Sequence, residues 1–212
     1  ILCKESPIPE GKVFLHQQDL NSYSIKELAR FRSVLAQSNT MSINFSVYDI
    51  ILMGRYPHFD HRPTAADLAV VEEVIQEMGI SHLLLRMYQS LSGGEQQRVQ
   101  LARVLAQIHK QPKGILFLDE PINGLDLQYQ QIILEKARML ANAGGTVVCI
   151  LHDINFAAKY ADKILILKDG RSVALGSPEE IISEETIFNT YNTKVKLIYD
   201  STVGHPFVIP MA

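Results

Sequence analysis

From Ser90 onward the chain alternates between two kinds of segment. Helix-type stretches at 94–108, 127–142 and 154–161 are separated by apolar runs at 115–118, 146–151 and 163–167 that are too short to be helices. In Ile115-Leu116-Phe117-Leu118 the apolar side chains occupy consecutive positions, so both faces of the strand have to be covered. Strands of that kind, interleaved with helices, fold as a parallel sheet with helices packed on it. The class is therefore α/β.

A short strand candidate lies at 11–15, and Ser24 and Glu27 have capping-box spacing that opens a helix to about Phe31. Residues 33–36 read as a strand ending at Gln37. Between Met41 and Tyr88 the pattern turns helical: 47–53 is one segment, and Thr64 caps a second in which Leu68, Val71, Ile75 and Met78 recur at helical spacing. This predicts a helical subdomain at 41–89 inserted between core segments 1–40 and 90–212. Farther on, Asp169-Gly170 is a hairpin turn signal into 172–175. Ser177-Pro178-Glu179-Glu180 is a helix start, and 194–210 reads as two strands around Gly204.

Composition narrows the partners. The 20 Lys and Arg against 23 Asp and Glu leave a formal charge of −3 with no basic run, which argues against nucleic acid as the main partner. Cys3 and Cys149 are far apart, and Cys149 falls inside an apolar run, so it reads as a buried thiol and not as half of a disulfide. No apolar run approaches the roughly 20 residues that span a bilayer.

Three places carry chemistry. In Leu91-Ser92-Gly93-Gly94-Glu95-Gln96-Gln97-Arg98-Val99, Ser92 and Glu95 have capping-box spacing, and two glycines leave backbone amides bare at a helix start, an arrangement that suits an anion. Asp119 and Glu120 stand at the carboxyl end of an apolar strand, where open α/β sheets hold their ligands. Adjacent strand residues point to opposite faces, so the two carboxylates are expected to do different jobs, one holding Mg²⁺ through water and the other orienting and deprotonating an attacking water. His152 follows the apolar run 147–151 at another carboxyl end, which makes it a candidate γ-phosphate contact.

In order and spacing these pieces resemble the nucleotide-binding subunit of ATP-binding cassette (ABC) transporters. Gln37 matches the Q-loop glutamine, 91–99 the family signature, 115–120 the Walker B strand and catalytic glutamate, Asn123-Gly124-Leu125-Asp126 the D-loop, and His152 the switch histidine. The resemblance implies a P-loop NTPase (RecA-like) parallel sheet with an inserted α-helical signature subdomain. It implies ATP hydrolysis with Mg²⁺ at the interface of a head-to-tail homodimer. By the same carry-over Gln37 senses Mg²⁺ and couples to the membrane subunits, Asp119 supports Mg²⁺, Glu120 is the general base, and His152 contacts the γ-phosphate. Ser92, Gly93 and Gly94, with Glu95 and Asp126 beside them, belong to the ATP site shared with the second copy. Two permease subunits, contacted through the Q-loop and the helical subdomain, and indirectly a periplasmic binding protein, are the implied partners. The implied location is peripheral, on the cytoplasmic face of the inner membrane.

Two departures from the family pattern stand out. The D-loop reads Ile122-Asn123-Gly124-Leu125-Asp126 where the family usually has Thr-Ser-Ala-Leu-Asp, and no G-x-x-x-x-G-K-[ST] loop occurs in the 212 residues. Ile1-Leu2 fits the helix that follows that loop in the family, so the chain is expected to be truncated just after the Walker A loop, without the N-terminal β-subdomain. Met53-Gly54-Arg55-Tyr56-Pro57-His58 resembles ATPases of siderophore, haem and cobalamin importers. Residues 91–107, with His205-Pro206 and Val208-Ile209-Pro210, look most like the haem group. His58-Phe59-Asp60-His61 reads as a solvated loop and not as a haem or metal site. Soluble ABC ATPases of DNA repair share the signature, but they usually separate the motifs with long coiled coils, and 37 and 92 are close here.

Overall fold

The computed structural model describes residues 3–4, 6–37, 44–200 and 204–211, and the chain divides into two compact units, Ile1–Ile150 and Leu151–Ala212. The first opens with a two-residue ladder, β1 (Phe14–Leu15) antiparallel to β2 (Gln18–Asp19), followed by α1 (Ile25–Phe31) and β3 (Arg32–Leu35). Helices α2 (Val47–Met53), α3 (Ala65–Met78) and α4 (Gly93–Ile108) precede β4 (Ile115–Asp119), α5 (Leu127–Asn142) and β5 (Thr146–Ile150). Strands β3, β4 and β5 form a parallel sheet in that order, with Leu118 level with both Leu35 and Cys149, and Asp119 level with Ile150. The carboxyl ends of all three strands therefore meet at one edge.

The helical segments close on themselves before α4 begins. Val47 and Tyr48 donate backbone N–H groups to Arg86 and Leu84, and Tyr88 donates to Phe45, so the chain leaves the α2–α3 region beside the point where it entered. Inside, a buried ion pair takes the place of an apolar contact. Arg55 donates Nε and Nη2 to Asp67 Oδ1 at 3.1 and 3.0 Å and Nη1 to the Ala106 carbonyl at 2.7 Å. The other Asp67 oxygen closes the capping box with Thr64. Gly54 ends α2 hard against α4, where an added Cβ would overlap the Arg103 carbonyl. The buried stripe of α3 accordingly runs through Asp67, Val71, Val74, Ile75 and Met78, and Leu68, expected on it, is exposed because Asp67 holds that position.

The second unit contains α6 (Ile154–Tyr160), the antiparallel hairpin of β6 (Ile164–Lys168) and β7 (Arg171–Gly176), α7 (Pro178–Ile181), α8 (Glu184–Tyr191), and the hairpin of β8 (Val195–Tyr199) and β9 (Pro206–Pro210). Its core gathers Ala158, Ile164, Ile166, Ile181, Ile182, Ile187, Val195 and Val208. The Asn155 amide donates to the Val208 carbonyl at 3.1 Å and accepts from the Val208 N–H at 2.7 Å, as a neighbouring strand would.

Several sequence expectations shift. The strand expected at 11–15 shrinks to Phe14–Leu15, because Gly11 at φ +80 is outside strand geometry and the two-residue β2 pairs only with Phe14 and Leu15. The strand expected at 33–36 is Arg32–Leu35 and follows α1 without a gap. The hairpin signalled by Asp169-Gly170 forms, with both residues at positive φ, and the strand expected at 163–167 is bonded to β7 and to no other described strand. Helix α8, capped by Ser183, had no counterpart in the sequence reading. The start of the expected helical insertion, 41–43, and the Ile1-Leu2 match lie outside the described residues.

Candidate active site

At the carboxyl edge of the parallel sheet, Gln37 lies two residues past β3 and Glu120 one residue past β4. Although 83 positions separate them, Gln37 Nε2 donates to Glu120 Oε2 at 2.6 Å. Glu120 also receives the Asn123 amide at 2.5 Å on the same oxygen, and its own N–H donates to the Ile150 carbonyl at 3.2 Å. Glu120 has φ +48, a left-handed conformation that costs a residue with a Cβ about 1–2 kcal/mol. The pleat therefore does not set its direction, and the argument that alternation sends Asp119 and Glu120 to opposite faces fails one residue past the strand. The turn and the Ile150 bond aim Glu120 instead.

Asp119 is the last residue of β4 and is partly buried. Its charge, added to burial, pushes the half-buried Cys149 thiol on β5 up to about 12. Cys149 was expected to be fully buried. It is not, because β5 is an end strand of the described sheet and its residues alternate between half-buried and exposed.

After Glu120 the chain makes two linked turns. Asn123 N donates to the Glu120 carbonyl and Leu125 N to the Ile122 carbonyl, both at 3.3 Å, and Gly124 takes φ +71 as the third residue of the second turn. Asp126 then caps α5 by accepting from Tyr129 N at 3.1 Å. Of the D-loop residues, Asn123 thus reaches Glu120, while Asp126 starts the next helix.

The signature segment begins α4. Ser92 N and Oγ both donate to Glu95 Oε2 at 2.8 Å, and Arg86 Nη1 reaches Glu95 Oε1 at 3.1 Å. The Ser92 bonds, with Arg86 and Arg98 nearby, hold the Glu95 carboxyl below the usual range. Glu95 is thereby placed to shape the loop. Ser92 and Gly93 are exposed, and a Cβ on Gly93 would meet nothing within 4 Å, so the backbone at the helix start is open to approach. A Cβ on Gly94 would meet Leu125 Cδ2 at 3.4 Å, and Gln97 Nε2 donates to the Pro121 carbonyl at 3.1 Å. The start of α4 therefore packs on the turns that follow Glu120. His152 belongs to the second unit, two residues past β5, and is exposed.

A family model described as ABC transporter matches residues 1–123. Hemin import ATP-binding proteins from Gloeobacter violaceus and Bordetella pertussis are 40% and 41% identical over 204 and 198 residues. These matches span 95% and 91% of this chain, and 74% and 75% of the relatives. The chain belongs to the ABC transporter family. An inward-facing ABC transporter described as of metal-chelate type superposes with a TM-score of 0.72 at 26% identity, over 86% of this chain and 73% of that one. As an ABC transporter subunit the chain is a nucleotide-binding protein with an α/β fold built on a parallel sheet. Among the described residues of this ABC subunit no helix is long and apolar enough to cross a membrane.

Two contacts at the candidate site were missed in the sequence. Arg86 on Glu95 has no local signal. Asn123 on Glu120 did have one: a side-chain donor three residues past a strand-end carboxylate, followed by a glycine able to take positive φ.

Proposed function

We infer that this chain is the ATP-hydrolysing subunit of an importer that carries hemin across the inner membrane. The observation that carries the chemistry is the junction of Gln37 and Glu120 at the carboxyl edge of the sheet. The cargo is carried by the likeness to hemin import proteins at 40% identity over nearly the whole chain.

In this reading Glu120 takes a proton from the water that attacks the γ-phosphorus, the bond to the β-phosphate oxygen breaks, and ADP and phosphate leave. Gln37 orients the Glu120 carboxylate through its amide nitrogen, while its amide oxygen and the Asp119 carboxylate are hard donors suited to Mg²⁺ and its bound waters. Mg²⁺ supplies charge neutralisation on the phosphate oxygens when bound. Ser92, Gly93 and Gly94 present the α4 amide end to the γ-phosphate of an ATP seated on a second copy in a head-to-tail homodimer. Glu95 holds that loop in shape. Asp126 sets the start of α5 beside the dimer surface, and His152 meets the γ-phosphate. Residues 41–89 form the helical subdomain that, with the Q-loop, meets two permease subunits at the cytoplasmic face. A periplasmic hemin-binding protein acts on the far side.

The test is ATP turnover by the full-length protein reconstituted with its permease. Wild type hydrolyses ATP and accumulates hemin in vesicles, and Glu120→Gln retains ATP without turning it over. Hydrolysis at the wild-type rate in Glu120→Gln would sink the base assignment. Vigorous hydrolysis without hemin accumulation would sink the cargo.

A further inference from the structure

Two amides donate to one oxygen of Glu120. Gln37 reaches Oε2 at 2.6 Å from the loop after β3, and Asn123 reaches it at 2.5 Å from the turn after β4. The Asn123 backbone N–H also returns to the Glu120 carbonyl at 3.3 Å, so one residue grips Glu120 at both main chain and side chain. Gly124 makes this geometry accessible. Its φ of +71 closes the second turn without strain, and no atom lies within 4 Å of where its Cβ would be, so the glycine serves backbone conformation and not packing.

We propose that Asn123 is a positioning residue for the general base, fixing the Glu120 carboxylate toward the attacking water. The proposal rests on the assignment of Glu120 as that base. A glutamate on a partly exposed turn loses rotamer entropy when it is held in one orientation, and a hydrogen bond to its charged group offsets that loss. Neutral donors also suit the task. An ammonium or guanidinium would bring a competing positive charge to the carboxylate, whereas an amide N–H fixes its orientation without adding one. Gln37 has a second task toward the metal and phosphates. Asn123, whose amide is directed at Glu120, is the dedicated donor.

The experiment measures steady-state ATP hydrolysis by the full-length protein for wild type, Asn123→Ala, Asn123→Asp, Glu120→Gln and Glu120→Gln/Asn123→Ala. Asn123→Ala lowers kcat about tenfold, equivalent to ~1.4 kcal/mol, and leaves KM for ATP within about twofold. Asn123→Asp keeps the size of the side chain but turns a second carboxylate toward Glu120, and kcat falls at least as far. In the Glu120→Gln background, Asn123→Ala produces no further loss of the residual rate. Wild-type kcat in Asn123→Ala overturns the proposal. So does an equal fold-loss in both backgrounds, which would mean that Asn123 only shapes the turn. Full turnover by Glu120→Gln is a separate result: it removes the base assignment, and the role of Asn123 with it.

Discussion

Asp67→Ala is expected to be among the most damaging single substitutions in the first unit, although the sequence marks Asp67 only as part of the Thr64 capping box. The Arg55 and Asp67 side chains are only 9% and 5% exposed, and the guanidinium also holds the Ala106 carbonyl. Removing the carboxylate strands a buried cation, at a cost of about 3–5 kcal/mol. Loss of the Thr64 capping box adds roughly 1 kcal/mol. With a urea m-value of about 2 kcal/mol/M, the unfolding midpoint followed by circular dichroism falls by roughly 2–3 M. The double variant Arg55→Met/Asp67→Leu, which removes both charges, should lose clearly less than Asp67→Ala alone. The pH dependence has a definite sign. Burial raises the Asp67 pKa, but the bonds from Thr64 and Arg55 outweigh it and hold the carboxyl below its ordinary value. The stabilisation is therefore complete above the unfolded value of about 3.9 and is lost as pH falls through the lower folded value. The gap between wild type and Asp67→Ala narrows only in that acid range. A midpoint shift under about 0.5 M near neutral pH would refute the reasoning, because it would class the pair with exposed ion pairs.

Gly54→Ala puts a methyl group against the Arg103 carbonyl and forces α2 away from α4, costing about 1–3 kcal/mol in the same unfolding assay; a wild-type midpoint would show that the close approach is not required. With its thiol raised to about 12 by burial and by Asp119, Cys149 should react with iodoacetamide at pH 8.5 at least about a hundredfold more slowly than glutathione, as read by peptide mass mapping. Alkylation as fast as that of glutathione would contradict the burial argument. Burial lowers the His58 pKa more than its bond to the Gln107 carbonyl raises it, so the unfolded chain binds the proton more readily. Stability should fall as pH drops below about 6.5, and His58→Gln should flatten that slope in urea titrations.

What could be read from the sequence was what local physics decides. The capping boxes at Ser24, Thr64 and Ser92 form, and at Ser177 the Glu180 carboxylate takes the Ser177 N–H, because each depends on side chains three residues apart. The strand at 115–118 is extended by one residue at most, since an unbroken apolar run bounded by Gly114 and a carboxylate leaves little choice of register. The partner of β6 was only half legible. Asp169-Gly170 signals the hairpin with β7, and it forms, but the apolar run suits a parallel sheet equally well and does not show that β6 is bonded to β7 alone among the described strands. The Arg55–Asp67 pair was also hidden, because nothing local distinguishes a buried aspartate from a solvated one. At the candidate site, the positions of Gln37 and Glu120 were legible as motif positions. Their hydrogen bond was not, since it depends on sheet register and on a left-handed residue that no period predicts.

Helix α4 connects the two halves of this chemistry. At its start, Gly94 packs on Leu125 and Gln97 holds the Pro121 carbonyl, which ties the signature loop to the turns that aim Glu120 and Asn123. At its end, Gln107 Nε2 donates to the Ala29 and Arg32 carbonyls and Gln107 Oε1 accepts from Ser33 Oγ at 2.9 Å, which ties the same helix to the strand that leads to Gln37. In the proposed function, a phosphate held by Ser92 and Gly93 would act on one continuous helix anchored at both ends to the segments that carry the Glu120 donors. Gln107→Leu would cut the far anchor while leaving the signature, Glu120 and Asn123 unchanged. ATP turnover should then drop through kcat, with the loss of all three bonds, one of them to the buried Ser33 hydroxyl, adding roughly 2–4 kcal/mol of destabilisation. If kcat holds while stability falls by that amount, the far anchor is structural only, and the signature loop acts on Glu120 through Pro121 and Leu125 alone.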